Sequence, residues 1–379
     1  LMSLLREILQ GDSVDVGKLS TKANIPIERI RAISEGADPT VSELRRLADA
    51  LRISVVDFAS QSATERETDL LFRRAPVSGK PVPSGTISGM SRQMASSFEL
   101  LLNADHKTGP WWNSRFQHGE NTFESAEHNA AIFRALFCDD DQLSPLHSLP
   151  KIVVERMGAM VFVVRTNDLD GASAYFDGVP FAFVSARFPP RMLFTLAHEC
   201  GHLVAHHNPT ESFAVIDETT DEEGSSNPNK TSEERYANAF ASALLMPRAS
   251  VGIALKKVRE IAKITQDVVG DLEIGYLGRI FGVSFWAAAR RCEDLELLPR
   301  GGAASLNEKL VKEYDSPEKR AEEVGLPPRQ EVRFPPVPQA LLASAVERVR
   351  TGELSVGRAA SILGVSIGDL MAANAPTAH

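Results

Sequence analysis

The sequence predicts an α+β, mainly α fold, and three observations carry that prediction. Apolar residues recur at three- and four-residue intervals through most of the chain, the spacing of one helical face. A single cluster of β-rich runs, between residues 159 and 186, interrupts that pattern. Just after it, Arg191–His207 reads RMLFTLAHECGHLVAHH, an apolar helix that carries His198-Glu199-x-x-His202. The expected architecture is a helix-turn-helix piece at the amino-terminal end, a core where a small β-sheet meets the histidine helix, and a helical carboxy-terminal region.

With 379 residues, 43% hydrophobic and 24% charged, the composition is that of a soluble globular chain with room for two or three domains. A net charge of −9 argues against a generic binder of polyanions. Cys138, Cys200 and Cys292 have no paired spacing, which excludes a disulfide framework and a thiolate zinc site. No apolar run approaches the 18 or so residues of a membrane span and no signal peptide opens the sequence, so no membrane partner and a cytoplasmic location are expected.

Residues 1–60 read as short helices. Leu4, Leu5, Ile8 and Leu9 make one apolar face, and Val16, Leu19, Ala23, Ile25, Ile27, Ile30 and Ile33 continue it. Gly36 ends that piece, and Ser42 opens a helix with Leu44, Leu47, Ala48 and Leu51 inward. Two helices around Ala23-Asn24-Ile25-Pro26 have the shape of a helix-turn-helix. The stretch LSTKANIPIERIRAISEGADPTVSELRRLADAL resembles the XRE (Cro/repressor-like) family over nearly all of this domain. The resemblance implies that the second helix, Pro26–Ser34, enters the major groove, with Glu28, Arg29 and Arg31 facing solvent. Eight basic and nine acidic residues in 1–60 leave no surplus for neutralising phosphates, although a homodimer would concentrate Lys22, Arg29 and Arg31 on one face. DNA binding and a protein-docking or structural role both stay open.

Residues 61–148 read as a mostly helical connection. SGKPVPSGTISG (78–89) is a Gly/Pro/Ser loop, and 90–106 and 124–138 are helices around a loop bearing Trp111 and Trp112. Those aromatics are expected to fill a core or a domain contact, and His128 to be an ordinary helix residue. No chemistry is expected here.

From 149 to 299 the pattern is that of the core. LPKIVVERMG predicts a helix ending at Gly158. AMVFVVRT, SAYFDG and PFAFVSA predict strands broken at Asn167-Asp168 and Asp177-Gly178, as in a small hairpin sheet. Pro189-Pro190 leads into the histidine helix. On a helix His198 and His202 project from one face, where two imidazoles can hold one Zn²⁺ at about 2.0–2.1 Å per bond. Glu199 lies one step round, placed to accept a proton from water instead of binding metal. With only 9 histidines in the chain, this spacing arises by chance in on the order of one such sequence in a hundred. Two solvated histidines are the bland alternative, and the apolar flanks argue against it.

A third His six residues beyond His202 is excluded, because that position is Asn208. His206 lies on the ligand face one turn further on, too far to share the metal on a regular helix, and His206 and His207 read as helix-end histidines favourable to the dipole. The better third ligand lies in TSEERYANAFASALLMP. Glu234, Ala237, Asn238, Ala241 and Leu245 share one face, Thr231 or Ser232 caps the helix and Pro247 stops it. Glu234 can supply the carboxylate, with Asn238 one turn on placed to hydrogen-bond a ligating histidine. Glu233 is the rival, pointing about 100° away. Cys200 is expected to be a small buried residue. Pro209–Lys230, rich in acidic residues, reads as a solvated mobile loop without the spacing of a calcium loop. The Ser173–Ala186 strands are candidates for pairing with an extended substrate, and Tyr175, Tyr236 and His206 for holding an oxyanion.

TLAHECGHLVAHH followed by EERYANAFASALLMP resembles the ImmA/IrrE family of metallopeptidases, from about Leu149 to Leu298. The resemblance implies a zincin-like core with Zn²⁺ on His198, His202 and Glu234, and Glu199 as the catalytic glutamate. It implies a zinc metalloendopeptidase with a regulatory role, its partner a repressor or antitoxin cleaved in stress response, phage immunity or mobile-element control. The long acidic link between the two motifs departs from the family pattern and bears on access to the cleft.

Residues 248–299 predict further helices packed on the core, 300–338 a linker rich in charge, Pro and Gly, and 339–379 a second helix-turn-helix-like segment that binds DNA, a partner chain or the body of the protein. Two other readings stand beside the enzyme. One is an XRE-type transcription regulator or antitoxin whose peptidase fold senses or supports. The other is a chain with a structural zinc whose fourth position is filled by protein.

Overall fold

The computed structural model describes residues 9, 16–51, 63–76, 82–101, 110–138, 142–207, 211–218, 231–334, 337–363 and 365–373, and it is mainly helical with one small mixed sheet. At the amino-terminal end α1 (Val16–Ala23), α2 (Ile27–Glu35) and α3 (Val41–Leu51) close on Leu19, Ile25, Ile30, Ile33, Leu44 and Leu47. Asn24 takes a left-handed φ of 50° between α1 and α2, and Gly36 (φ 131°) ends α2, as the turn residues anticipate. Leu4, Leu5 and Ile8 lie outside the described residues.

Lys22, Glu28 and Arg31 are exposed here, but Arg29 is committed within the domain. Its guanidinium donates to Glu43 at 2.8 and 3.0 Å and to the Asp38 carbonyl at 3.0 Å. This paired geometry, with the Thr40 amide as a further donor, holds the Glu43 carboxyl down at about 2. The expectation that Arg29 faces DNA is thereby corrected: a fork already satisfied by a carboxylate is a poor phosphate ligand.

Next come α4 (Ala63–Arg74), α5 (Ser84–Leu101) and α6 (Phe123–Phe137). Residues 84–89 of the expected loop are the first turns of α5, because Ile87, Met90 and Met94 share a buried face that outweighs the glycines. The indole of buried Trp112 donates to the Met157 carbonyl at 2.8 Å, whereas Trp111 is exposed. The one-turn helix α7 (Leu149–Ile152) passes into a π turn, Val153–Met157, which Gly158 closes at φ 77°.

The sheet holds β1 (Met160–Val164), β2 (Leu169–Phe176), β3 (Val179–Ser185) and β4 (Phe213–Glu218) in the order β1-β3-β2-β4. β2 and β3 form the expected hairpin, turned by Asp177 and Gly178 with φ of 47° and 80°. β1 instead pairs with β3 in parallel, so Asn167-Asp168 is a crossover bend and not a hairpin turn. β4 falls in the stretch expected to be a solvated loop. It pairs with β2, and Ala214 and Ile216 are buried. The rest of that loop, 219–230 included, lies outside the described residues. β2 and β3 are therefore interior strands, and the substrate-pairing edge expected on Ser173–Ala186 is not an edge: β1 and β4 are.

Every residue of β3 is buried, since both faces of the sheet are covered. On one face Phe162, Phe181 and Phe183 pack with Phe72, Met94 and Phe98. On the other, Val161, Ala182 and Val184 meet Leu193 and Leu196 of α8 (Pro189–Ala205), and α9 (Ser232–Leu245), α10 (Arg248–Ala262), α11 (Asp271–Phe281) and α12 (Phe285–Asp294) extend that core. The core runs from Trp112 to Leu310, so packing crosses both the 148/149 and the 299/300 boundaries. Most of the expected linker is helical: α13 (Gly302–Tyr314) buries Ala303 and Leu310 in this core, and α14 (Pro317–Glu323) follows. Finally α15 (Gln339–Arg350), α16 (Val356–Leu363) and α17 (Ile367–Ala373) pack on the body, with Ser344 donating to the Leu100 carbonyl at 2.6 Å and Gln93 to that of Ile362 at 3.1 Å. Among the described residues no single helix is long and apolar enough to cross a membrane.

Candidate metal centre

Three elements converge on one point. Pro189 and Pro190 start α8, whose burial from Thr195 to Ala205 leaves His198 7% and His202 1% exposed. Thr231 caps α9 by accepting from the Glu234 amide at 3.2 Å, which places Glu234 in the first turn, buried, and Glu233 exposed. Between the helices Gly201 faces Ala237: a Cβ at Gly201 would stand 3.1 Å from the Ala237 Cα and 3.2 Å from the Phe240 ring. The small pair sets the interhelix distance that brings Glu234 to the histidines. The third element is β4, which contributes Asp217.

His198 Nε2 and His202 Nε2 are 3.1 Å apart. Glu234 offers Oε1 to His202 at 3.3 Å and Oε2 to His198 at 3.6 Å. Asp217 Oδ2 is 2.9 Å from His198 Nε2 and 3.8 Å from His202 Nε2. One donor atom from each of the four residues lies within 4.8 Å of the others, and all four residues are buried. Asp217 was missed from sequence. Its signal is the short apolar run Phe213–Ile216, masked by the acidic residues that follow.

Glu199 is fully buried, and neither of its oxygens has a hydrogen-bond partner among the described residues. Burial first, then the negative Asp217 beside it, pushes its carboxyl well above its ordinary range. Burial alone would raise Asp217 as well, but His198 and His202 hold it below the usual carboxylate range. Glu199 fits against β2 only because residue 171 is glycine: a Cβ there would stand 2.1 Å from Glu199 Oε1 and 2.7 Å from Thr195 Cγ2.

The support behind the ligands differs from expectation. Asn238 donates to the Glu234 backbone carbonyl at 2.7 Å, one turn back on its own helix, rather than to a histidine. His206 takes that part. Its Nε2–H donates to Asn121 Oδ1 at 2.8 Å, leaving Nδ1 to accept from His202 Nδ1–H at 3.0 Å. This chain fixes the His202 tautomer with the Nε2 lone pair facing the cluster. Asn121 lies just before α6, in the region where no chemistry was expected. His206→Ala is expected to weaken metal binding about 10–100-fold, read by chelator competition; unchanged affinity would remove His206 from that support.

His206 and His207 are not helix-end cations. Burial, with the neighbouring His202, pushes His206 down to about 3 and His207 well below its usual value, so both are neutral. The other oxyanion candidates are engaged too: the Tyr175 hydroxyl points at the Leu203 carbonyl (3.4 Å), and that of Tyr236 accepts from Asn129 at 2.6 Å. Cys200 is buried, as expected.

Two histidines and two carboxylates around a buried, unpartnered glutamate define a metallopeptidase-type centre. Residues 154–293 match the family model Peptidase_M78, described as the IrrE N-terminal-like domain. The matched stretch runs from the π turn through β4 and α9 into α12, and this similarity supports a metallopeptidase-type function. No curated protein matches the chain.

Proposed function

We propose that the chain is a zinc-dependent regulatory endopeptidase that cleaves a repressor, antitoxin or similar regulatory protein. The supporting observation is the convergence of His198, His202 and Glu234 at ligand spacing beside an unpartnered, fully buried Glu199. The donor set suits Zn²⁺, which takes imidazole nitrogen and carboxylate oxygen. Bound there, Zn²⁺ supplies Lewis acidity to a scissile carbonyl and to the attacking water. Glu199 takes the proton of that water and returns it to the leaving amine. β4, the sheet edge beside the centre, is the strand on which an extended substrate would lie.

Metal content tests this. About one zinc per chain is expected in the unchanged protein, and metal lost or bound far more weakly in His202→Ala and Glu234→Ala. No metal even after zinc addition would sink the enzyme reading. We propose the amino-terminal three helices as an XRE-like module with Lys22 and Arg31 available to DNA. Operator binding with a steep salt dependence would favour the regulator reading if it survived Glu199→Gln.

A further inference from the structure

The centre holds one protein donor more than an open hydrolytic site uses. A catalytic zinc keeps three protein ligands and a fourth position for water or substrate, whereas four protein ligands close the site. With bonds of about 2.0–2.1 Å, the donors of a tetrahedral site stand roughly 3.3–3.4 Å apart. The five histidine–histidine and histidine–carboxylate separations here run from 2.9 to 3.8 Å and bracket that value. Asp217 meets the condition with a single oxygen, Oδ2 at 2.9 and 3.8 Å from the two imidazoles, whereas Glu234 reaches them with different oxygens, Oε2 at 3.6 Å and Oε1 at 3.3 Å.

Two further features single Asp217 out. Its buried oxygens face the two imidazoles and the Glu199 carboxyl, and no hydrogen bond from a backbone amide or a basic side chain of the described residues satisfies them. It is also aimed by the sheet. Asp217 stands opposite Gly171, at a register shift between Leu169 and Gly171 in the β2–β4 pair. The extra residue of this bulge, Asp170, is on β2, and bulges of this kind cluster beside active sites; Asp217 itself keeps the alternation of β4, on the face opposite to buried Ala214 and Ile216. The same glycine makes room for Glu199, so the base and the extra carboxylate meet over one residue of β2.

We infer that Asp217 is a fourth protein ligand that closes the centre in this conformation, so that the chain is a latent peptidase until Asp217 gives way to water or a scissile carbonyl. This rests on the peptidase reading above. The device is local: a carboxylate from the edge strand occupies the position that hydrolysis needs.

The full-length chain loaded with Co²⁺ provides the test, because its visible bands report coordination number. The unchanged protein is expected to show four-coordinate bands that do not respond to acetohydroxamate. Asp217→Asn and Asp217→Ala are expected to keep one metal per chain, bound at least about tenfold more weakly. Their bands should shift on adding acetohydroxamate, and peptide cleavage should rise above that of the unchanged chain. Asp217→Asn preserves side-chain volume, so it reports even if the alanine variant misfolds. Bands and affinity indifferent to Asp217, or unchanged protein that already responds to acetohydroxamate, would overturn Asp217 as a ligand and leave the peptidase reading standing. Complete metal loss in both Asp217 variants would overturn latency in favour of a structural site. Absence of metal from the unchanged chain would sink the peptidase reading itself.

Discussion

Glu199→Gln is expected to bind as much metal as the unchanged chain while losing peptide cleavage by about 10²–10⁴-fold or more, the range associated with a positioned general acid–base. The comparison belongs in whichever background cleaves, the unchanged chain or Asp217→Asn. The amide keeps the shape of a side chain that lies 0% exposed but cannot carry a proton from water to an amine. It also removes an ionisable group from a site where neither oxygen is satisfied, so the metal-free variant is expected to melt no lower than the unchanged protein. Metal loss in Glu199→Gln would contradict the role given to it, because the four converging donors do not include Glu199.

Gly171→Ala is expected to reach nearly the same catalytic outcome by a different route. The added methyl would stand 2.1 Å from Glu199 Oε1 and 2.7 Å from Thr195 Cγ2, well inside contact distance. The nearest atoms all belong to side chains of α8, so either the Glu199 carboxylate leaves its seat or β2 moves away from α8. Overpacking of this kind destabilises by about 1–3 kcal/mol. Metal stoichiometry is expected to stay near one, with cleavage falling toward that of Glu199→Gln and the melting temperature falling as well. Full activity in Gly171→Ala would show that the glutamate does not work from its place against β2.

The placements legible in the sequence are those whose geometry is local. His198 and His202 face one way because four residues make about one helical turn, and no distant contact is needed to know it. The same periodicity separates Glu234, on the face of Ala237 and Ala241, from Glu233, and the structure buries the first and exposes the second. The Asp177-Gly178 turn and the Gly158 stop are likewise local, written in residues that accept a positive φ. Local rules also misled. Asn238 was assigned to a histidine, but its own helix presents the Glu234 carbonyl 2.7 Å away, and the nearer acceptor prevails.

By itself, then, the sequence determined a mainly helical α+β chain, the histidine helix with its neighbouring glutamate, and the helix that presents a carboxylate toward it. Tertiary structure alone decided the rest. Asp217 enters the cluster because β4 pairs with β2 from another part of the chain, and an acidic stretch with only four apolar residues does not announce that partner. Asn121 reaches His206 because α6 packs on α9, and the Arg29 guanidinium is paired because α3 brings Glu43 to it. Periodicity states which face of an element is apolar. Which polar groups then meet depends on how the elements stack, since a buried donor or acceptor must find its partner wherever packing has placed one.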